Sequence, residues 1–137
     1  MTSQVYLEQG KTAVFAVSLD WPGWCRRART ADLALEALDD YRDRYAKIPS
    51  IIFNPGDLHV VATLTGNATT DFGAPDARGP FDVPALSPKE LARQIGLLQD
   101  CWNYFDDVVD HAPPTLRRGP RGGGRDRDAV VDHVREA

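Results

Sequence analysis

Asp20-Trp21-Pro22-Gly23-Trp24 constrains this chain more than any other stretch. A hydrophobic run from Thr12 to Leu19 leads into it. Its Val and Phe enrichment and its length predict a strand with Phe15, Val17 and Leu19 on one face. Pro22 fixes its own φ and has no N–H to give, so a paired ladder cannot continue past Asp20. Gly23 permits the tight reversal. Trp24 to Arg29 then returns as the next strand. Val5 to Glu8 reads as a short strand ended by the Gln9-Gly10-Lys11 turn, and it forms a hairpin with the hydrophobic run. Aromatics beside a turn usually anchor packing, so Trp21 or Trp24 is expected to aim at the helix that begins at Ala31.

That helix opens at Thr30, whose side-chain oxygen can satisfy an orphan amide. From Ala31 to about Ala46 the apolar positions Ala34, Leu38, Tyr41 and Tyr45 recur at helical spacing, and Leu35 widens the stripe. The other face carries Glu36, Asp39, Asp40, Arg42 and Asp43, a solvated face rather than an acid pair for chemistry. Pro49 ends the helix. Ser50 to Phe53 reads as a brief strand and Asn54-Pro55-Gly56-Asp57 as a strong turn. Leu58 to Thr65 is the best strand by pattern, with Leu58, Val60, Ala62 and Leu64 on one face. His59 falls on the opposite face and reads as a surface residue. Residues 1–66 therefore make an α+β domain, a small antiparallel sheet packed on one helix.

Glycines and prolines interrupt residues 67–86, which read as a long connection with only Thr69 to Phe72 extended. Phe72 and Phe81 are expected to pin it to the body. Residues 87–137 form a helical segment. Ser87 is the N-cap, Pro88 the first helical residue, and Glu90 completes a capping box. Leu91, Ile95, Leu98, Trp102, Phe105 and Val109 then make one stripe. Burying such side chains contributes ~1.5–3 kcal/mol each, so leaving all six exposed would cost on the order of 10 kcal/mol. A partner for this face is expected, either the body of the protein or a second chain. Trp102 and Phe105 read as packing residues rather than a ligand cage. Pro113 and Pro114 close the helix.

The tail holds Arg117, Arg118, Arg121, Arg125 and Arg127, interleaved with glycines, ahead of a last helix from about Arg127 to Glu136 capped by Asp126. Successive glycines let backbone amides approach an anion, so Arg117, Arg118, Arg121 and Arg125 are candidate anion-binding residues. The Gly-Lys-Ser/Thr of a nucleotide phosphate loop is absent. Arg26, Arg27 and Arg29 form a second basic cluster. Val130, Val134 and Ala137 begin an apolar face that needs more chain or a second subunit to pack on.

Composition narrows the classes. The 137 residues are 42% hydrophobic and 26% charged, a globular balance. A net charge of −4 weighs against non-specific nucleic-acid binding by the whole chain, while local patches escape that average. Cys25 and Cys101 give neither a disulfide framework nor a metal knuckle, and read as free thiols of a reducing compartment. No basic region followed by an apolar run opens the chain, and no window reaches the ~18 apolar residues of a membrane helix. The expected location is cytoplasmic. No nucleophile-base-orienter set is legible, and Cys25 has arginine neighbours but no nearby histidine.

Two resemblances follow from these motifs. Residues 5 to 65 resemble the HicB-like antitoxin fold, through Phe15 to Leu19, Asp20-Trp21-Pro22-Gly23-Trp24, and Thr30 with Leu35-Glu36-Ala37-Leu38. The resemblance implies a small sheet backed by one helix, used for oligomerisation and partner binding. Residues 86 to 137 look like the opening of a DinB-like helical bundle, which implies a divalent metal with His133 as its first ligand. Three readings stay open. The first is a non-enzymatic interaction or regulatory module that forms a homodimer through its helical arm, with a further protein partner. The second is a metal-dependent DinB-like enzyme, or a degenerate relative, using His133. The third is nucleic-acid or anion binding through the arginine loop.

Overall fold

The hairpin expected around Gln9-Gly10-Lys11 is formed. In the computed structural model, which describes residues 1–120 and 122–137, strand β1 (Thr2–Gln9) pairs antiparallel with β2 (Val14–Ser18). After the Pro22-Gly23 turn, β3 (Cys25–Ala28) pairs antiparallel with β2. Helix α1 (Ala31–Asp40) and the single turn α2 (Arg42–Tyr45) follow, then β4 (Asp57–Thr65), α3 (Ala68–Phe72), a 3-10 turn (Pro80–Asp82), α4 (Pro88–His111) and α5 (Arg127–Glu136). The sheet order is β3-β2-β1-β4. The chain divides into two compact units, Met1–Leu97 and Leu98–Ala137, and α4 contributes to both.

The α+β class holds, with one pairing different from the expected all-antiparallel sheet. β4 runs parallel to β1, so the sheet is mixed. A parallel partner needs a long crossover, and the helical segment between β3 and β4 supplies it. The register of β4 shifts at Val61, because Val60 faces Val5 while Ala62 faces Tyr6. This bulge turns the strand over. Leu58 and Val60 sit on one side of the sheet, Ala62 and Leu64 on the other, where simple alternation had put all four together. β4 is an edge strand, and Val60 and Val61 remain exposed.

One side of the sheet carries Val5, Leu7, Val14 and Ala16, packed with Ala34 and Leu38 of α1 and with Trp21, Trp24, Tyr45 and Leu97. Thr30 caps α1 as expected, accepting from the Leu33 N–H at 3.3 Å. The helix does not run unbroken to Ala46. Tyr41, at φ −93° and ψ 9°, separates α1 from α2 and leaves its own ring exposed. Ser50 to Phe53 forms no strand. Phe53 instead enters an aromatic cluster, 4.9 Å from the Trp21 ring, 5.2 Å from Trp24 and 5.0 Å from Tyr45.

The opposite side of the sheet carries Tyr6, Glu8, Phe15 and Val17, and the stretch read as a connection covers it. Asn67 caps α3 through its side chain, which accepts from the Thr69 and Thr70 N–H groups. Phe81 lies against Tyr6 with ring centroids 4.7 Å apart, whereas Phe72 is 93% exposed and pins nothing. Glu8 is fully buried here. Its carboxylate accepts from the Thr70 hydroxyl at 2.6 Å, from the Asp76 N–H at 2.8 Å and from the Ala77 N–H at 2.8 Å. A carboxylate within an apolar strand is tolerated because donors from a distant segment surround it.

Asp71 of α3 closes the β1–β2 turn. Its carboxylate accepts from the N–H groups of Lys11, Thr12 and Ala13 and from the Thr12 hydroxyl, at 2.7 to 3.2 Å. The backbone bonds from Thr12 and Lys11 hold the Asp71 carboxyl below its ordinary range. A group whose pKa is lowered by folding stabilises the fold above its unfolded pKa, about 3.9, and stops doing so as pH falls through the lower folded value. The stability gap between the wild type and Asp71→Asn should therefore be steady from pH 7 to 5 and shrink below about pH 4. Urea unfolding at successive pH values measures it, and a gap that widens on acidification would contradict this role.

Candidate protein-interaction surface

The Asp20-Trp21-Pro22-Gly23-Trp24 turn joins the sheet to the helices. Gly23 holds φ 90°, a left-handed value that favours glycine, and the Trp24 N–H donates to the Trp21 carbonyl at 3.0 Å. The Asp20 carboxylate accepts from the Gln4 N–H at 2.6 Å. The Tyr45 hydroxyl donates to the Pro22 carbonyl at 2.8 Å, and the Trp24 indole N–H to the Leu38 carbonyl at 3.0 Å. Both tryptophans are buried, so the turn is a packing device and not an exposed binding loop. Arg93 of α4 donates to the Asp20 carbonyl at 2.6 Å and stands 4.8 Å over the Trp21 ring. Arg93 thus ties the start of α4 to the turn, and Leu97 is buried in the core.

Leu97 is off the stripe expected to pack. Ser87 caps α4 as read, accepting from the Glu90 N–H at 3.1 Å, while the Glu90 carboxylate engages Arg93 and Gln94. The helix then buries Leu97 and half-buries Arg93, Gln94, Cys101 and Tyr104. The predicted stripe is turned elsewhere. Leu91 is 48% exposed, Ile95 58%, Leu98 57% and Trp102 42%, while Phe105 and Val109 are half-buried. Of the two neighbours expected for this face, the body of the protein takes up little of it, and its first four residues are left exposed. Leu97 has Arg93, Gln94 and Asp100 three and four residues away and only Cys101 as a less polar neighbour on its face, so it gave no periodic signal of its burial. Four large apolar side chains on consecutive turns make a continuous patch, which marks interaction sites on protein surfaces.

The arginine loop is partly assembled. Arg117, Arg118 and Arg125 line one cleft of about 140 Å³, while Arg121 lies outside the described residues. Two of the loop amides are engaged internally: the Gly119 N–H donates to the Gly123 carbonyl and the Gly122 N–H to the Gly119 carbonyl. Asp126 stands at the N-cap of α5 as expected, its carbonyl accepting from the Val130 N–H at 3.0 Å, but its carboxylate lines the same cleft and accepts from the Leu116 N–H at 3.1 Å rather than from a helix amide. The cleft thus contains its own carboxylate. The second basic cluster divides. Arg26 stacks on Tyr41 on the α1 side of the sheet, while Arg27 reaches across the other side to the Asp71 carbonyl at 3.2 Å.

His133 stands exposed on α5, and among the described residues no group of three or more His, Cys, Asp or Glu gathers to hold a metal. Burial pushes the Cys25 thiol up to about 11, with the Arg26 charge offsetting only part of the effect, so this cysteine is protonated at neutral pH. Burial and the Glu8 carboxylate likewise push the Tyr6 hydroxyl up to about 12. Neither is poised for nucleophilic or acid-base work near pH 7. Among the described residues no helix is long and apolar enough to cross a membrane. Comparison with known protein families, with characterised proteins and with solved structures finds no match.

Proposed function

We propose that this chain is an interaction module that pairs with a second copy of itself through the Leu91–Trp102 face of α4. The observation that carries the reading is the exposure of four large apolar side chains at consecutive helical turns. The stripe from Leu91 to Val109 alternates steps of four and three residues, a spacing that reads the same in either direction. An antiparallel copy therefore sets Leu98 against Trp102, Ile95 against Phe105 and Leu91 against Val109, in a two-fold arrangement. Charge agrees with that orientation, since Lys89 opens the helix and Asp106, Asp107 and Asp110 lie near its end.

Each half-exposed side chain gains roughly 1 kcal/mol on burial, so eight in a pair gain about 8 kcal/mol. Association itself costs about 4–15 kcal/mol, so the dimer is reversible and depends on concentration. Sedimentation across micromolar to millimolar protein should show dimer forming in the wild type. Leu98→Asp should stay monomeric, with unchanged circular dichroism because the position is exposed. A wild-type chain still monomeric at about 1 mM would overturn the reading.

A further inference from the structure

A second feature, independent of α4, lies where β3 meets α2. A cleft of about 180 Å³ opens there between Trp24, Arg26, Tyr41, Arg44 and Ile48. Arg26 lies over the Tyr41 ring, its guanidinium carbon 3.3 Å from the ring centroid, a separation that only a stacked guanidinium reaches. Arg44 approaches the same ring, at 6.0 Å. Two like charges beside one tyrosine repel each other in a partly enclosed site. Their neighbour Arg42 is paired with Asp39, yet among the described residues neither Arg26 nor Arg44 has a carboxylate within 4.0 Å.

Stacking has a further effect on Arg26. A guanidinium lying on an aromatic face directs its N–H donors outward in its own plane, which is the fork that a planar or tetrahedral oxyanion accepts in bidentate fashion. Arg44 adds a second cation on an exposed, adjustable stem. Trp24, Ile48 and Tyr45 add apolar wall beside the pair. A cleft of this volume holds one small group and not a polymer.

We propose that this cleft binds the phosphate of a small phosphorylated molecule, held between Arg26 and Arg44, with an apolar portion against the Trp24–Ile48 wall. Two guanidiniums match a dianion better than a single carboxylate, which would leave one of them uncompensated. Tyr41 acts as the platform that orients Arg26, and the interruption between α1 and α2 at Tyr41 sets the platform in place.

Phenyl phosphate and inorganic phosphate, titrated into the full chain by calorimetry at low salt, test the site. Saturable binding of phenyl phosphate is expected, tighter than that of inorganic phosphate and weakened by added salt. Arg44→Gln, at an exposed position, should weaken it about tenfold or more, as should Arg26→Gln. Arg125→Gln, in the other arginine cleft, should leave it unchanged. Binding lost in Arg125→Gln but kept in Arg44→Gln would overturn the assignment, as would no saturation by about 10 mM phenyl phosphate. A single-stranded oligonucleotide that binds tightly without being displaced by phenyl phosphate would also overturn it, in favour of a nucleic-acid surface.

Discussion

Trp24→Ala is expected to destabilise the first unit by about 3–5 kcal/mol, a large share of the stability of a domain this size. The side chain is 2% exposed and joins the turn to α1, α2 and the loop at Phe53. Its ring packs on Phe53 and Tyr45, and its indole N–H bonds to the Leu38 carbonyl at the end of α1. Alanine leaves a cavity bounded by rigid aromatic rings, which cannot collapse into the space. Trp24→Phe separates the contributions. It keeps most of the volume and loses only the indole bond, and the Leu38 carbonyl retains the Tyr41 N–H at 3.3 Å, so about 1 kcal/mol should be lost. Urea unfolding of both variants measures the difference. An alanine variant within 1 kcal/mol of the wild type would remove the turn from its central place in the packing.

Glu8→Ala should cost about 3 kcal/mol or more through a different mechanism. The carboxylate is the shared acceptor for the Thr70 hydroxyl and for two backbone N–H groups, Asp76 and Ala77. Removing it leaves three donors facing apolar sheet, each an unpaired group worth about 1–3 kcal/mol. Glu8→Gln keeps the shape and one acceptor oxygen but turns an NH₂ toward donors, so its loss should fall between those of the wild type and alanine. Amide hydrogen exchange supplies the local readout. The Asp76 and Ala77 amides should exchange faster in both variants, beyond what the global loss of stability explains. If those amides stayed as protected as in the wild type, residues 68–82 would be held by something other than Glu8.

These two residues mark where the sequence was legible and where it was not. The strands, Thr30, the proline stop and Trp24 all announced themselves by local chemistry, because a cap, a break and an alternation act within a few residues of one another. Glu8 could not be read in this way. Its partners are Thr70, Asp76 and Ala77, and only the folded chain brings them to it. The same holds for residues 67–86, where Phe81 was rightly expected to pin the stretch to the body, but Thr69 to Phe72, read as extended, form helix α3, and nothing local showed that Thr70, Asp76 and Ala77 would close over Glu8. β4 misled for a related reason. It was the best strand by pattern, yet the extra residue at Val61 divides its apolar face between the two sides of the sheet, and its edge position leaves Val60 exposed. The α4 stripe was found from periodicity, while the choice between body and solvent depended on Leu97, which joins the core, and on Arg93, whose partners lie at Asp20 and Trp21. Tyr41 and Arg26 met across a strand-helix junction that no spacing rule describes.

The parallel pairing of β1 with β4 also constrains the order of folding. Each of its pairs joins residues some 55 positions apart, while the β1–β2 hairpin closes across a tight turn. Hairpin and helix can form early from nearby residues, but the first strand made stays open along one edge until the chain has been produced as far as Thr65. During that interval β1 presents unpaired backbone to any other extended segment. The bulge at Val61 then carries a kinetic meaning as well. A strand arriving late can slip by one residue, and a register that changes partway along is satisfied by a single alignment, so the last pairing to form is also the one least free to form incorrectly.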